Sequence, residues 1–353
     1  MTIGKYIYDL SPPRVALEAR AGGSFELVLG LAALTGRRGA EASWVPELAD
    51  CSRELRAAVA AVGEASAELW LHLLGLALEQ PSTDASAFVA AVASTDALEL
   101  RRHLLGVHVP AWREVAGAET LERAAAGDAA AARALHANDR YYAGSAAEAL
   151  TQLLPLSPDQ TRTRVVAVLE RFAREAFGRA EAAVVAQLAV DADAKRELAQ
   201  RLPATDVVAA AAPGFNYEPE AETPRIVLVP HLAARPWLFL CQHRDMRIIC
   251  YPVAADEEEE TLDERFLVVT RALADPARIR ILRRLAGGEA SLAEIAELTG
   301  LGKSTAHHHL AQLRAVGLVS VSGNARAYRY ALARDGVQAY STLAARFFSP
   351  PSR

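Results

Sequence analysis

Apolar residues recur at helical spacing through most of the first 205 residues. The stretches "SFELVLGLAALTG" and "AELWLHLLGLALEQ" place Leu, Val and Ala three and four positions apart, which is the spacing of one helix face. "SPDQTRTRVVAVLERF" adds a start signal, with Ser157 as N-cap, Pro158 at the first helical position and Gln160 to complete a capping box. The pattern predicts a helical N-terminal domain.

The helical spacing stops near "APGFNYEPEAETPR", where Pro, Gly and Asn interrupt it. The stretches "RIVLVPHL", "PWLFLCQH" and "RIICYPV" follow. They are rich in β-branched and aromatic residues and predict short strands, the last two forming a hairpin that turns at Arg244–Asp245. "KYIYDL", residues 5–10, predicts one more short strand.

The last third of the chain has clear element boundaries. Asp275 is a predicted N-cap for "DPARIRILRRLAGG", and Ser291 with Glu294 forms a predicted capping box for "SLAEIAELTG". The next helix holds three consecutive histidines, and two alternating strands and a final helix follow. This order is that of a winged helix-turn-helix, in which the second helix of the pair enters the DNA major groove.

We therefore predict a fold that is mainly α with small β elements, in three parts. Residues 1–205 form a helical sensor or interaction domain. Residues 206–258 form a β-rich hairpin segment and linker packed on that domain, and residues 259–353 form a winged helix-turn-helix domain.

The motifs of the last part resemble those of the ArsR-type (metalloregulator-like) bacterial transcriptional repressors. The resemblance rests on "LADPARIRILRRL", "SLAEIAELTGLGKSTAHHHLAQLRAVGLV" and "SVSGNARAYRYAL". It implies a homodimer that binds double-stranded DNA at a palindromic operator, with dimer surfaces on residues 262–274 and 336–348. The upstream part resembles an uncharacterised helical module that precedes ArsR-type winged helices in larger regulators.

Helical geometry sends the three histidines in different directions, because successive residues lie 100° apart. The apolar positions Ala306, Leu310 and Leu313 define the core face. His308 is then predicted to point outward, His307 to lie on a flank and His309 to pack inward. Ligand pairs on a helix need i, i+3 or i, i+4 spacing, so the three histidines are not predicted to bind one metal ion. No partnered nucleophile is recognisable nearby, so they are not predicted to be catalytic.

The predicted DNA contacts lie near the start of this helix and on the basic residues around it. They are Lys303, Ser304, Thr305, His307, His308, Arg314, Arg326 and Arg329. Side chains near the helix start would touch base edges, whereas the arginines would contact phosphates. The alternative for each arginine is an ordinary solvated surface residue. The resemblance implies the same positions, but His307 stands where serine is common and Lys303 where glutamine is common, so the preferred bases should differ.

The resemblance implies metal binding through cysteines on the helix before the recognition helix, or through Asp and His on the last helix. Neither site can be placed in this sequence. "SLAEIAELTG" contains no Cys, and "GVQAYSTLAARFF" contains no Asp, Glu or His. One weak metal candidate remains: Cys241, His243 and Cys250 should share a face of the predicted hairpin. The alternative is that the cysteines are small buried hydrophobes. We predict no cofactor and expect a small-molecule effector or a protein partner to act on the N-terminal domain.

Charge is divided unevenly along the chain. Residues 261–353 hold 13 Lys and Arg against 7 Asp and Glu, a net of +6, within a chain whose formal net charge is −5. The rest is therefore acidic, at −11, so only the C-terminal part is expected to meet a polyanion. Three cysteines, the absence of a signal peptide and the absence of a long apolar run predict a cytoplasmic protein without a membrane span.

Two other functions compete with regulation. Residues 1–255 could be an enzyme with an appended DNA-binding tail, but they show no Gly-rich phosphate loop, zinc helix or nucleophile elbow. An enzyme is therefore not predicted. A degenerate winged helix used for protein interaction should lose its basic face, and Lys303, Arg314, Arg326 and Arg329 argue against that loss.

Overall fold

The structure, a computed structural model, describes residues 15–36, 42, 44–141, 146–253, 261–324 and 327–349. Helices fill most of these residues, and two small sheets complete them. The predicted fold class, mainly α with small β elements, is confirmed. The strand predicted at residues 5–10 lies outside the described residues.

Short helices dominate the part before the sheets. They are α1 (Gly23–Leu34), α2 (Arg53–Val62), α3 (Ala67–Leu71), α4 (Leu73–Glu79), α5 (Ala85–Ser94), α6 (Ala97–Leu104), α7 (Pro110–Ala116), α8 (Ala118–Ala125), α9 (Ala129–His136), α10 (Ala147–Leu153), α11 (Pro158–Phe172), α12 (Glu181–Ala199) and α13 (Ala204–Ala211). The predicted capping box of Ser157 and Gln160 starts α11, with Pro158 in its first turn.

Helix α1 is the centre of this helical part, and every one of its residues is buried. A helix that is apolar on all sides must be surrounded by other elements, and α1 packs against α3, α4, α5 and α12. Among the described residues no single helix is long and apolar enough to cross a membrane. The pair Arg53–Val62 and Ala67–Glu79, bent by 83°, reaches that length and composition only when taken together.

A four-stranded sheet lies next to α1. Its strands are β1 (Ala16–Ala19), β3 (Arg225–His231), β4 (Phe239–His243) and β5 (Met246–Pro252), in the order β1-β3-β5-β4. Strands β1, β3 and β5 are parallel, and β4 is antiparallel to β5. The predicted hairpin is confirmed: it turns at Arg244–Asp245, with Arg244 at φ 52°, and this turn places Phe239 opposite Cys250.

Both faces of this sheet are buried, which explains the continuous apolar runs of its strands. Val227, Val229 and Ile248 pack into the core of α1 and its neighbours. The alternate residues Ile226 and Leu228 enter a second core, which continues into the C-terminal part of the chain. The sheet therefore connects the N-terminal helices to the winged helix.

The C-terminal part has the predicted element order. It contains α14 (Leu262–Leu273), α15 (Pro276–Ala286), α16 (Leu292–Thr299), α17 (Lys303–Ala315), β6 (Val319–Asn324), β7 (Ala327–Leu332) and α18 (Arg334–Phe347). Asp275 caps α15, and the Ser291–Glu294 capping box starts α16, both as predicted.

The sheet of the wing includes a strand that precedes the winged-helix domain in the sequence. Strand β2 (Phe215–Tyr217) lies in the Pro- and Gly-rich stretch and pairs in parallel with β6, giving a three-stranded sheet in the order β2-β6-β7. Phe215 is fully buried in the second core with Leu310 and Leu313 of α17. The upstream chain is thus built into the hydrophobic core of the winged helix.

Candidate nucleic-acid interface

Helix α17 is held firmly by one face. It follows α16 after Gly300, which adopts a left-handed φ of 68° and ends that helix. The three predicted core positions, Ala306, Leu310 and Leu313, are each 0% exposed. The angular assignment from helical periodicity is confirmed for the core face, so the opposite face is fixed in direction.

The first turn of α17 is open. The side chains of Lys303, Ser304 and Thr305 are all exposed, and the preceding N-cap is Gly302. Free backbone N–H groups and a positive helix end favour phosphate oxygens at such a position. This turn therefore exposes one cation, two hydroxyls and a helix N-terminus.

His307 and His308 are placed differently from the prediction. Both side chains are half-buried, and each ring centroid lies 5.6 Å from the ring of Trp237. The prediction that His308 points freely outward is therefore wrong in this arrangement. Periodicity within α17 contains no information about Trp237, which precedes β4 and packs across this side of the helix.

His309 lies toward the interior, as predicted. Its side chain is 11% exposed, and Nδ1 is 3.8 Å from Oδ2 of Asp275, the N-cap of α15. Burial lowers the pKa of His309, while the Asp275 carboxylate opposes that shift. His309 thus contributes to packing between two helices.

Arg314 requires the largest correction. It was predicted to lie on a basic surface flank and contact phosphate, but it is 9% exposed. Its Nη2 donates to the Pro236 carbonyl at 2.9 Å and its Nη1 to the Pro213 carbonyl at 3.4 Å. Burial lowers the pKa of the guanidinium. Because upstream segments cover the end of α17, Arg314 is not available to DNA in this arrangement.

The two remaining arginines are on the wing. Arg329 is exposed, and it donates to the Glu289 carbonyl oxygen at 3.3 Å with the Glu289 carboxylate 3.6 Å away. Arg326 lies outside the described residues. Of the two predicted phosphate contacts that the structure describes, Arg314 and Arg329, Arg329 is the accessible one.

The weak metal candidate on the hairpin is not assembled as predicted. Cys241 and Cys250 are free thiols that lie next to each other. His243 turns toward other groups: its Nε2 is 2.9 Å from Glu79 Oε1, and its ring stacks on His103 with centroids 5.4 Å apart. His243 is the last residue of β4 and lies against helices that the hairpin pattern does not describe, so the three-ligand set is corrected.

Sequence reasoning missed the residues that cover α17. Trp237 is 3% exposed, and Pro213 and Pro236 supply the carbonyls that hold Arg314. Their positions in a Pro- and Gly-containing stretch predict turns but carry no signal of a partner about 70 to 100 residues away in the sequence. Only docking of the two parts brings them to α17.

Comparisons with known proteins match the C-terminal part. Residues 273–322 match a family model described as "Helix-turn-helix domain". The HTH-type transcriptional regulator CmtR of Mycobacterium tuberculosis is 46% identical over 63 residues, which are 18% of this chain and 53% of the relative. The chain thus spans about half the length of the CmtR relatives that it matches.

A longer match is to the transcriptional activator HlyU of Vibrio cholerae, 32% identical over 92 residues, which are 26% of this chain and 85% of that protein. Among solved structures, the homodimeric winged helix-turn-helix DNA-binding domain of Mb0332 from Mycobacterium bovis, described as a possible ArsR-family transcriptional regulator, is 30% identical. It covers 26% of this chain and 85% of its own, with a TM-score of 0.22.

Proposed function

The chain belongs to the ArsR family of winged helix-turn-helix transcriptional regulators, and from that premise we propose that it is a sequence-specific DNA-binding repressor acting as a cytoplasmic homodimer. The observation that carries the proposal is the open first turn of α17. Lys303, Ser304 and Thr305 are exposed there, on a helix whose opposite face is fixed in the core. Recognition helices touch base edges with such residues near their N-terminus.

The charge distribution supports contact with DNA by this part only. The net charge of +6 over residues 261–353 contrasts with −11 over the rest. Arg280 and Arg283 of α15 and Arg329 of the wing are exposed. Phosphate contacts from these residues would set orientation and make binding salt-dependent.

An exposed apolar surface on α14 and α18 supports the homodimer. Phe266 of α14 stacks on Phe347 of α18 with ring centroids 4.2 Å apart. Around this pair Leu267 is 45% exposed, Val268 is 43% exposed and Phe348 is 75% exposed. Apolar side chains this exposed and this close together are typical of protein interfaces. A second copy would cover them and provide the two-fold symmetry that a palindromic operator needs.

The contacts on α17 support control by the part of the chain that precedes the winged helix. Trp237 packs on His307 and His308, and the carbonyls of Pro213 and Pro236 hold Arg314. A ligand or partner that moves these segments relative to α17 would change which residues can reach the groove. We propose that the effector acts through this contact, and we assign the chain no catalytic role.

The proposal is tested by selecting sites from a random double-stranded DNA library with the full chain. We expect a palindromic site with half-sites about 10 bp apart or a multiple of that, and an affinity that falls steeply with salt. Joint substitution of Lys303, Ser304 and Thr305 by Ala should remove selectivity. Arg133→Ala, an exposed substitution on α9, is the control. Failure to enrich any sequence, or unchanged selectivity of the triple variant, would refute the proposal.

A further inference from the structure

Three histidines and two glutamates meet between the N-terminal helices and the end of the β4–β5 hairpin. We call this group the histidine cluster. It contains Glu79 at the end of α4, Glu99 and His103 on α6, His108 just after α6, and His243 at the end of β4. It lies apart from α17 and has no role in the proposed DNA contact.

His103 is the unusual member of the cluster. It is 2% exposed, and neither of its ring nitrogens has a hydrogen-bond partner among the described residues. A buried polar group without a partner costs about 1–3 kcal/mol and calls for an explanation such as an ion. Burial lowers the pKa of His103 to about 3, with His108 adding to the shift.

The surrounding donors lie at distances that suit a shared ion. His103 Nε2 is 3.6 Å from Glu79 Oε2 and 3.8 Å from Glu99 Oε1, and His108 Nε2 is 2.8 Å from the same Glu99 oxygen. The first two distances are too long for hydrogen bonds. Two ligands about 2.1 Å from a tetrahedral Zn²⁺ would be roughly 3.4 Å apart. One donor atom from each of Glu99, His103 and His108 fits within 4.8 Å.

We propose that this cluster is a binding site for a first-row divalent transition metal, with Zn²⁺ as the best match. Glu99, His103 and His108 are the ligands, and the Glu79 carboxylate lies beside them, with Oε2 3.6 Å from His103 Nε2. Imidazole and carboxylate together suit zinc and its neighbours, whereas Ca²⁺ and Mg²⁺ prefer oxygen alone. On binding, the metal replaces the proton through which His108 Nε2 now donates to Glu99, and that proton moves to solvent or to the other ring nitrogen.

The local chain geometry supports this assignment. Glu99 and His103 are i, i+4 on α6, the spacing that puts two ligands on one helix face. Gly106, at a left-handed φ of 71°, then reverses the chain and returns His108 to the same place. The Arg244 N–H donates to the His108 carbonyl at 2.7 Å, so the hairpin turn holds this loop.

His243 and Arg244 orient the Glu79 carboxylate beside the three ligands. His243 Nε2 is 2.9 Å and Arg244 Nη2 is 2.7 Å from Glu79 Oε1. Because both hold the same oxygen, the other oxygen of Glu79 faces His103. Such outer hydrogen bonds commonly fix the groups that surround metal sites. The site would therefore connect α4, α6 and the hairpin.

The test is metal binding by the full, untagged chain after treatment with a chelator. Zn²⁺ is titrated in competition with a chromophoric chelator, and Co²⁺ is used as a spectroscopic probe. We expect one Zn²⁺ per chain and a Co²⁺ absorption spectrum of low-coordinate nitrogen and oxygen ligation. Glu99→Gln and His108→Gln, whose side chains are 34% and 20% exposed, should fold and should each lower the affinity at least about 100-fold.

Two controls separate the cluster from other histidines. His136→Gln changes an exposed residue of α9, and the joint variant His307→Gln, His308→Gln and His309→Gln removes the consecutive run. Both should bind Zn²⁺ within about twofold of the wild type. The proposal is overturned if the wild type binds no metal, if Glu99→Gln and His108→Gln bind as tightly as it does, or if the joint variant loses the site.

Discussion

Two groups of three histidines in this chain behave in opposite ways. His307, His308 and His309 are consecutive in the sequence but diverge on α17, two packing on Trp237 and the third facing Asp275. His103, His108 and His243 are separated by up to 140 residues, yet their ring centroids lie within 5.6 Å of one another.

The difference follows from helix geometry and burial. Neighbours on a helix are rotated by 100° and cannot converge, whereas residues from separate elements converge wherever those elements pack. His103 and His243 of the cluster are buried, so these rings lose water and must find other partners. The three consecutive histidines lie on a face of α17 that the segment around Trp237 partly covers. A string of histidines is therefore weaker evidence for a metal site than an i, i+4 Glu–His pair such as Glu99 and His103.

The largest expected effect tests whether upstream segments of the chain bury the C-terminal end of α17, the helix that carries the three consecutive histidines. Arg314→Ala removes two charge-assisted hydrogen bonds and leaves the Pro213 and Pro236 carbonyls without their donor. We expect the free energy of unfolding to fall by about 3 kcal/mol, measured by urea denaturation. The salt dependence of DNA binding should be unchanged.

Lys303→Ala at the open end of α17 is the matched control. It should leave stability within about 0.5 kcal/mol of the wild type and lower the slope of log affinity against log salt by about one. If Arg314→Ala instead lowered the slope without destabilising the chain, Arg314 would be a phosphate contact and the covered arrangement would be wrong.

Burial also distinguishes the histidine cluster from the consecutive histidines of α17. A second test measures the electrostatic cost of burying a titratable group, at a carboxyl group elsewhere in the core. Glu26 of α1 is fully buried, and its carboxylate accepts from the backbone N–H groups of Leu232 and Ala233. Burial raises its pKa from 4.5 to about 7. The folded state therefore binds the proton more tightly than the unfolded state, so this group's contribution to stability falls as pH rises from about 4.5 through about 7.

The variant Glu26→Gln should lose this dependence. On moving from about pH 7.5 to about pH 5, the wild type gains about 2 kcal/mol from Glu26 that the variant does not gain. Unfolding free energies of both proteins at the two pH values measure the difference, and Glu119→Gln, at a side chain that is 86% exposed, is the control. Parallel pH profiles for the wild type and Glu26→Gln would show that Glu26 does not titrate as buried.

The smallest effect compares crowding at the two histidine groups. A Cβ at Gly75 of α4 would overlap the ring of His243, which Glu79 and His103 hold in place. Gly75→Ala should destabilise the chain by about 1 kcal/mol, because overpacking of about 2 kcal/mol exceeds the helix-propensity gain of about 1 kcal/mol. Thermal unfolding with full reversibility measures it.

Gly302, the N-cap of α17, is the comparison for Gly75. The nearest atom to a Cβ there is Thr305 Oγ1 at 3.9 Å, so Gly302→Ser meets no obstacle and should stabilise by a few tenths of a kcal/mol. A stabilising Gly75→Ala would show that His243 moves away easily and that the cluster is not tightly packed.

Much of the local structure could be predicted from the sequence because it depends on neighbours along the chain. The caps at Ser157, Asp275 and Ser291 involve residues within three positions. The β4–β5 register follows from a two-residue turn, and the core face of α17 follows from its 3.6-residue period. The family's motifs also consist of residues that are close in the sequence, so the DNA-binding fold could be predicted without a structure.

Only the tertiary structure decided which distant segments pack against each other. Packing of Trp237 on α17, burial of Arg314 and pairing of β2 with β6 each join residues about 70 to 106 positions apart. The meeting of His243 with His103 and Glu79 spans 140 and 164 positions. Such contacts depend on how two faces of one buried sheet join two cores. Hydrophobic periodicity identifies those faces as buried, but it does not specify which element packs against each of them.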